Sequence, residues 1–341
     1  MKHTNNKFSY LALAIASALT SNIAFSAEST PVVEEDTGLE RIEVTARKSL
    51  ESLQNVPVAV TSVGAEQLAQ NGISVMTEVQ QFSPNTTLQS SRGTNSTLTA
   101  FIRGVGQEDP LWGYEPGVGI YIDDVYVARP QGAVLDILDV ERIEVLRGPQ
   151  GTLYGKNTIG GAIKYVTRKM SGDAELNIKG TFGDYARQDF KVSGQLPLVE
   201  GQLYLGFAAA SLQRDGYGKF LTSDLSNQDS ENYNKDVFSG RLTLEYSPND
   251  DLFMRLNYDK TDDDSNSKGG YRLLPSLLTD APVPDSVYDS YTSMPTWNKV
   301  ETEGLSFTLE YYLNDFWTFK SVTAKRTSYS PTNIDFDNTS L

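Results

Sequence analysis

Two textures divide the chain. From residue 55 to about 169, short apolar runs of strand length alternate with helical stretches and turns, whereas beyond Lys169 apolar residues recur at every second position. In the first region VPVAVTSV (56–63) reads as a strand and AEQLAQ (65–70) as a short helix stopped by Asn71-Gly72. VMTEVQQF (75–82) reads as a second helix, started by Ser74 and stopped before Pro84. TAFIRGV (99–105), GIYIDDVYV (119–127, with a turn at Asp123-Asp124), ERIEVLRG (141–148) and GAIKYVTRK (161–169) read as further strands. The roughly 115 residues involved suffice for one small domain with its own core.

In the second region ELNIKGTF places Leu176, Ile178 and Phe182 on one face, FKVSGQLPL places Phe190, Val192 and Leu196, and GQLYLGFAA places Leu203, Leu205 and Phe207. FSGRLTLEY, LFMRLNY and LSFTLEY repeat the pattern, and FWTFKSVTAK follows it less regularly. Period-two strands of about ten residues with aromatic ends are the pattern of a transmembrane β-barrel. Short turns (LPLVEGQ, SPNDD) alternate with two long polar connections, as on the two sides of an outer-membrane barrel. A soluble sandwich with one wet face is the competing reading, but sandwich connections are usually shorter. The predicted fold class is an α+β domain followed by antiparallel transmembrane β-barrel strands.

The N-terminus adds an export signal. Lys2 and Lys7 precede the apolar run LALAIASALT (11–20), which ends in small residues and is too short to span a bilayer. Residues 1–26 therefore read as a cleaved signal peptide, with cleavage after Ser26 favoured over Ala27. The acidic stretch that follows, with Glu34, Glu35 and Asp36, begins an arm (27–54) expected to be disordered. Within it lies ERIEV, and the same pentapeptide returns at 141–145.

Composition then removes most chemistry. The chain has no cysteine, and its one histidine, His3, lies in the signal. Zinc hydrolysis and Ser-His-Asp catalysis thus have no parts in the mature protein, so no metal site, cofactor or enzymatic activity is expected. The net charge of -15 argues against a nucleic-acid partner. One loop invites a catalytic reading, namely Gly148, Gly151, Gly155, Gly160 and Gly161, with Lys156 directly after a glycine. A phosphate loop requires four residues between its glycines and a hydroxyl after the lysine. Gly151 and Gly155 are one residue too close, and Asn157 follows Lys156. The glycines read instead as positions of positive φ and close backbone approach.

Taken together, IEVTA, FIRG, YIDDVYV and the string RGPQGTLYG (147–155) before GGAI resemble the TonB-dependent outer-membrane receptors. The resemblance is close over 40–169 and rests on pattern alone beyond. It implies a plug domain (55–169) inside the first part of a barrel (170–341). The glycine loop would belong to the plug, with Lys156 and Lys164 as departures that leave its pattern intact. Ile42, Glu43, Val44, Thr45 and Ala46 would be the TonB box, an extended segment that adds as a strand to the periplasmic partner TonB. Arg103 and Arg147 would face acidic groups on the inner barrel wall, and Arg92, Trp112 and Tyr114, on the loops at 90–98 and 107–117, would contact ligand. The implied partners are TonB, outer-membrane lipid and a small-molecule or metal-chelate ligand, with no nucleic acid. The implied activity is energised uptake of a scarce bulky nutrient, most readily a ferric siderophore, at the outer membrane; a passive channel or non-transporting surface protein is the alternative. Plugged transporters have about 22 strands, whereas the 172 residues after Lys169 hold about seven candidates. The barrel is therefore expected to be incomplete in this sequence.

Overall fold

A computed structural model describes residues 42–73, 75–91, 94, 96–109, 113–131, 139–221, 231–278 and 281–341. The signal segment, the arm up to Arg41, Arg92 and Trp112 lie outside the described residues.

The chain opens with a small hairpin, β1 (Glu43–Val44) paired antiparallel with β2 (Glu51–Ser52). Next come β3 (Ala59–Gly64), α1 (Ala65–Gln70) and a 3₁₀ helix, Met76–Phe82. The second helix expected from sequence is thus the tighter kind. It is short, begins where the Glu78 carboxylate accepts the Val75 amide at 3.3 Å, and stops before Pro84. The run 99–105 is a hairpin rather than one strand. β4 (Thr86–Ser90) and β5 (Leu98–Ile102) pair, and the chain then reverses through Arg103 (φ 52°) and Gly104 (φ 78°) into β6 (Val105–Gly106).

The central sheet of this domain also uses β7 (Val118–Ile122), β8 (Val125–Tyr126), β9 (Val140–Arg147) and, after the one-turn α2 (Gly151–Tyr154), β10 (Gly161–Thr167). Its order is β3-β9-β10-β7-β8, with only β10 and β7 parallel. β9 is buried on both faces because each face has its own cover. Ile143 and Val145 join Leu68, Met76, Leu88 and Ile102 on one side. Leu146 joins Tyr121, Tyr154 and Ala162 on the other, and that second cluster is completed by Val44 and Ala46.

The glycine loop connects these layers. Gly148, Gly155 and Gly161 have positive φ, and a Cβ on Gly160 would lie 2.6 Å from the Val105 carbonyl oxygen; Gly151 shows neither constraint. At Gly161 (φ 153°) a side chain would in addition run into the Leu146 carbonyl inside the β9–β10 ladder. Gly161→Ala is expected to destabilise the domain by about 3 kcal/mol, the upper end for one strained residue. A denaturant midpoint equal to the parent's would contradict this reading.

Beyond Lys169 seven long strands form one antiparallel meander. These are β11 (Glu175–Gly183), β12 (Arg187–Val199), β13 (Leu203–Arg214), β16 (Lys235–Asn249), β17 (Leu252–Asp263), β19 (Val300–Asn314) and β20 (Trp317–Tyr329), each paired with its neighbour in sequence. Two small pairs accompany them: β14 (Gly218–Lys219) with β15 (Glu231–Asn232) in the connection after β13, and β18 (Trp297–Asn298), just before β19, with β21 (Thr332–Asn333), just after β20. The less regular FWTFKSVTAK is a full strand, β20, in continuous register with β19. Most of the apolar positions marked by the alternation lie on the exposed face, with Ile178 at 74% and Phe182 at 69% exposure. The opposite face carries Thr243, Glu245, Arg255, Asn257 and Thr308, all buried. An apolar exterior over a polar interior is the inverse of a water-soluble sheet and fits strands that face lipid.

Candidate coupling site

The segment expected as a free arm is folded from Ile42 onward. Val44 and Ala46 are buried against the central sheet because they complete the cover of its apolar second face beside Tyr121, Leu146, Tyr154 and Ala162. The Ile42 carbonyl accepts the Leu53 amide at 2.9 Å, closing the hairpin.

Between the two anchors Thr45 is held by polar groups from the sheet beneath. Its amide and hydroxyl donate to Glu144 Oε1 at 2.7 and 3.1 Å. Lys164 Nζ donates to the Thr45 carbonyl at 2.8 Å and to its Oγ1 at 2.7 Å, and Tyr154 Oη donates to the Ala46 carbonyl at 2.8 Å. Glu144 and Lys164 are almost wholly buried, and Arg142 Nε secures Glu144 at 2.8 Å. The second ERIEV thus binds the first through Glu144, which alternation places on the β9 face opposite Ile143 and Val145.

The turn between β7 and β8 is the other half of the site. Asp123 (φ 45°) and Asp124 (φ 70°) form a two-residue hairpin loop with both φ positive, a geometry that aspartate tolerates better than most residues. Asp124 meets three lysines from three elements: Lys48 of the arm at 3.0 Å, Lys164 of β10 at 3.2 Å and Lys320 of β20 at 3.0 Å. Burial by itself would raise the Asp124 pKa, but Lys164, Lys48 and Lys320 outweigh it and hold the carboxyl well below the usual range. Burial pushes the Lys48 ammonium down, and Asp124 offsets part of that shift. A cavity of about 670 Å³ opens here, lined by Thr45 and Lys48 of the arm, Asp124 and Lys164 of the domain, and Glu310 and Lys320 of the sheet.

Asp123 ties the domain to the sheet through Arg255. The Asp123 carboxylate accepts the Thr167 amide and hydroxyl at 2.8 and 2.6 Å. Arg255, buried on β17, donates to Glu245 at 2.7 Å, to Thr167 Oγ1 at 2.9 Å and to the Arg168 carbonyl at 3.2 Å, and lies 3.6 Å from Asp123.

The described ion pairs between this turn and the sheet place the aspartates on the domain and the cations on the sheet. Arg147 donates within the domain, to the Pro84 carbonyl at 3.5 Å, and Arg103 lies in the β5–β6 turn near Gly148. Among the described residues, the ion pairs given by the β7–β8 turn to the sheet run from Asp123 and Asp124 to Arg255 and Lys320. Lys164, at first sight a harmless departure, is central to the site, and Lys156 makes only an exposed pair with Glu115 at 2.6 Å. Tyr114 is exposed on the loop before β7. Charged residues on the inward face of a strand, as Arg255 is between Met254 and Leu256, were the available signal for the wall residues.

Arg255→Met is expected to weaken the seam by about 3–5 kcal/mol, because Asp123 and Glu245 would stay buried without their cation. The urea midpoint for release of the domain from the sheet measures it, and a midpoint within error of the parent would contradict the assignment.

Comparison with known proteins places this geometry. The family described as TonB-dependent Receptor Plug Domain matches residues 52–162. The chain thus carries a plug domain of the TonB-dependent receptor kind. It is 34% identical over 169 residues to the pesticin receptor of Yersinia enterocolitica, covering 48% of this chain and 24% of that protein. It is 31% identical over 219 residues to an iron-regulated outer membrane virulence protein of Vibrio cholerae, covering 55% and 31%. The crystal structure of the ferric yersiniabactin uptake receptor FyuA from Yersinia pestis superposes with a TM-score of 0.68 at 22% identity, over 81% of this chain and 41% of that one. The chain thus spans about a quarter to a third of the length of these two curated relatives. The domain through β10 is the plug, and β11 to β20 are strands of the barrel wall.

Proposed function

We propose that the protein takes part in energised uptake of a bulky iron chelate across the bacterial outer membrane, with Ile42 to Ala46 as the segment that its periplasmic partner TonB pulls. The observation that carries this reading is the joint at Asp124, where one carboxylate ties the arm, the plug and the wall together. A passive pore has no use for such a joint. In a receptor, tension on the arm acts directly on the contact between plug and wall. The segment is held by polar groups around Thr45 and by two buried apolar side chains, Val44 and Ala46, so the apolar contact that tension must open is small.

The iron class is supported by relatives named as a pesticin receptor, an iron-regulated virulence protein and a ferric yersiniabactin receptor. The same kinship supports a transport role. The test is accumulation of radiolabelled ferric chelates by cells that express the protein, with and without the gene for the periplasmic partner. Loss of accumulation with surface binding retained is the expected result; accumulation that survives the deletion would overturn the reading.

A further inference from the structure

In the β9–β10 ladder Glu144 and Lys164 stand directly opposite each other. Opposite charges at opposed positions on one sheet face attract and pair, yet Lys164 Nζ stops 3.9 Å from Glu144 Oε2, beyond hydrogen-bond reach. Glu144 is fully buried, and its Oε2 accepts no hydrogen bond. A buried acceptor left in this way requires a cause.

Thr45 is that cause, because it stands between the two heads. Its carbonyl and Oγ1 take two N–H groups of Lys164, at 2.8 and 2.7 Å, and Asp124 takes the third at 3.2 Å. An ammonium has three donors, so none is left for Glu144. On the other side the Thr45 amide and hydroxyl both donate to Glu144 Oε1, the oxygen that Arg142 Nε also reaches. One threonine thus satisfies a cation and an anion that would otherwise satisfy each other.

Departure of the arm reverses this. Two N–H groups of Lys164 come free at the moment when Glu144 loses both Thr45 donors. Lys164 Nζ has to move only about 1 Å to reach ion-pair length, well within the freedom of its four-carbon stem. Arg142 stays on Oε1, which leaves Oε2 for Lys164. A charge stripped of its partner away from water is strongly destabilising, and pairing across the ladder spares the free-arm form that penalty.

We propose that Glu144 and Lys164 form a two-position latch, holding Thr45 while the arm is docked and closing on each other, Nζ to Oε2, when it leaves. The direct pair keeps β9 and β10 together under load, and a returning arm must part it before Thr45 docks. Lys164 is a departure from the pattern of the resemblance, so the device is particular to this chain. The proposal rests on the uptake reading for the pull on the arm, but not for the chemistry of the latch.

The test uses the protein extracted from outer membranes into detergent and treated with a water-soluble carbodiimide, which joins an amine to a carboxylate in contact with it. Peptide mass spectrometry reads the products. Val44→Gln and, separately, Ala46→Gln release the arm by placing an amide in a buried apolar cluster, and hydrogen exchange at Thr45 records the release. The Glu144–Lys164 product is expected to rise about tenfold or more over the parent in both variants, because a minor free-arm form holds at most about a tenth of the parent. The exposed pair Lys156–Glu115 should give equal product in all three proteins. A Glu144–Lys164 product at the parent's level in both variants overturns the proposal, and so does linkage of Lys164 to Asp124 in place of Glu144. The reaction needs no partner and no energy source, so the expected product together with partner-independent accumulation of chelate would sink the uptake reading alone. Partner-dependent accumulation without the product would sink the latch alone.

Discussion

Ile42→Pro is expected to reduce uptake to the level of a strain lacking the periplasmic partner, while binding of the chelate at the cell surface is unchanged. Strand addition to the partner's sheet requires a continuous row of backbone donors. Proline removes the amide at the first position of the proposed box and fixes its φ. The resting structure uses the carbonyl of Ile42, which accepts from Leu53, and proline keeps a carbonyl. The burial of Val44 and Ala46 is likewise untouched by a change at residue 42. The variant thus separates the energised step from the fold. Chelate uptake by variant and parent cells, with surface binding measured in parallel, decides it; parental uptake would remove residue 42 from the coupling segment.

Asp124→Asn is expected to release the arm. Removing the carboxylate takes away the ion pair of Lys48 and leaves it facing Lys164 and Lys320, which keep Glu144 and Glu310. Breaking a buried ion pair on one side costs about 3–5 kcal/mol. Lys48 and Lys320 are each more than a quarter exposed, so the lower figure applies, which shifts the ratio of docked to free arm by roughly a hundredfold. Hydrogen exchange at the Thr45 and Ala46 amides should accelerate by that factor, with the central strands β9 and β10 unchanged.

The pH dependence follows from the same group. The Asp124 carboxyl has its pKa depressed below the ordinary 3.8. Its stabilisation is therefore fully present above that value and is lost as pH falls below it, through the depressed pKa. The difference between parent and Asn variant should be constant from pH 5 to 7 and shrink below about pH 3.9. A difference that persisted at low pH would assign the effect to packing.

Local pattern carried most of the architecture. Alternation identified the seven wall strands, because a strand with lipid on one side and a polar lumen on the other must change character at every residue. The turn at Asp123-Asp124 and the helix at 65–70 were legible for similarly local reasons, since turn chemistry and stop signals act over a few residues. The plug was legible from the string around Gly148 to Gly161, where backbone crowding at Gly160 and Gly161 leaves little freedom in side-chain choice.

The partners of the charged residues were not legible, because pairing joins positions far apart in the chain. Nothing near Lys164 in sequence indicates that it meets Thr45 and Asp124, and nothing near Arg255 indicates Asp123. The arm was misjudged for a related reason. Its composition from 28 to 38 predicts disorder, yet Val44 and Ala46 are buried by a sheet face that the remote strands β7, β9 and β10 create. Sequence by itself thus determined the apolar face of the wall strands, the turn at Asp123-Asp124 and the glycine-rich loop, all set by a residue's immediate neighbours. Only the tertiary structure decided that aspartates on the plug meet cations on the wall, because an ion pair depends on where two distant backbones bring their side chains, and either sign on either surface satisfies the same local pattern.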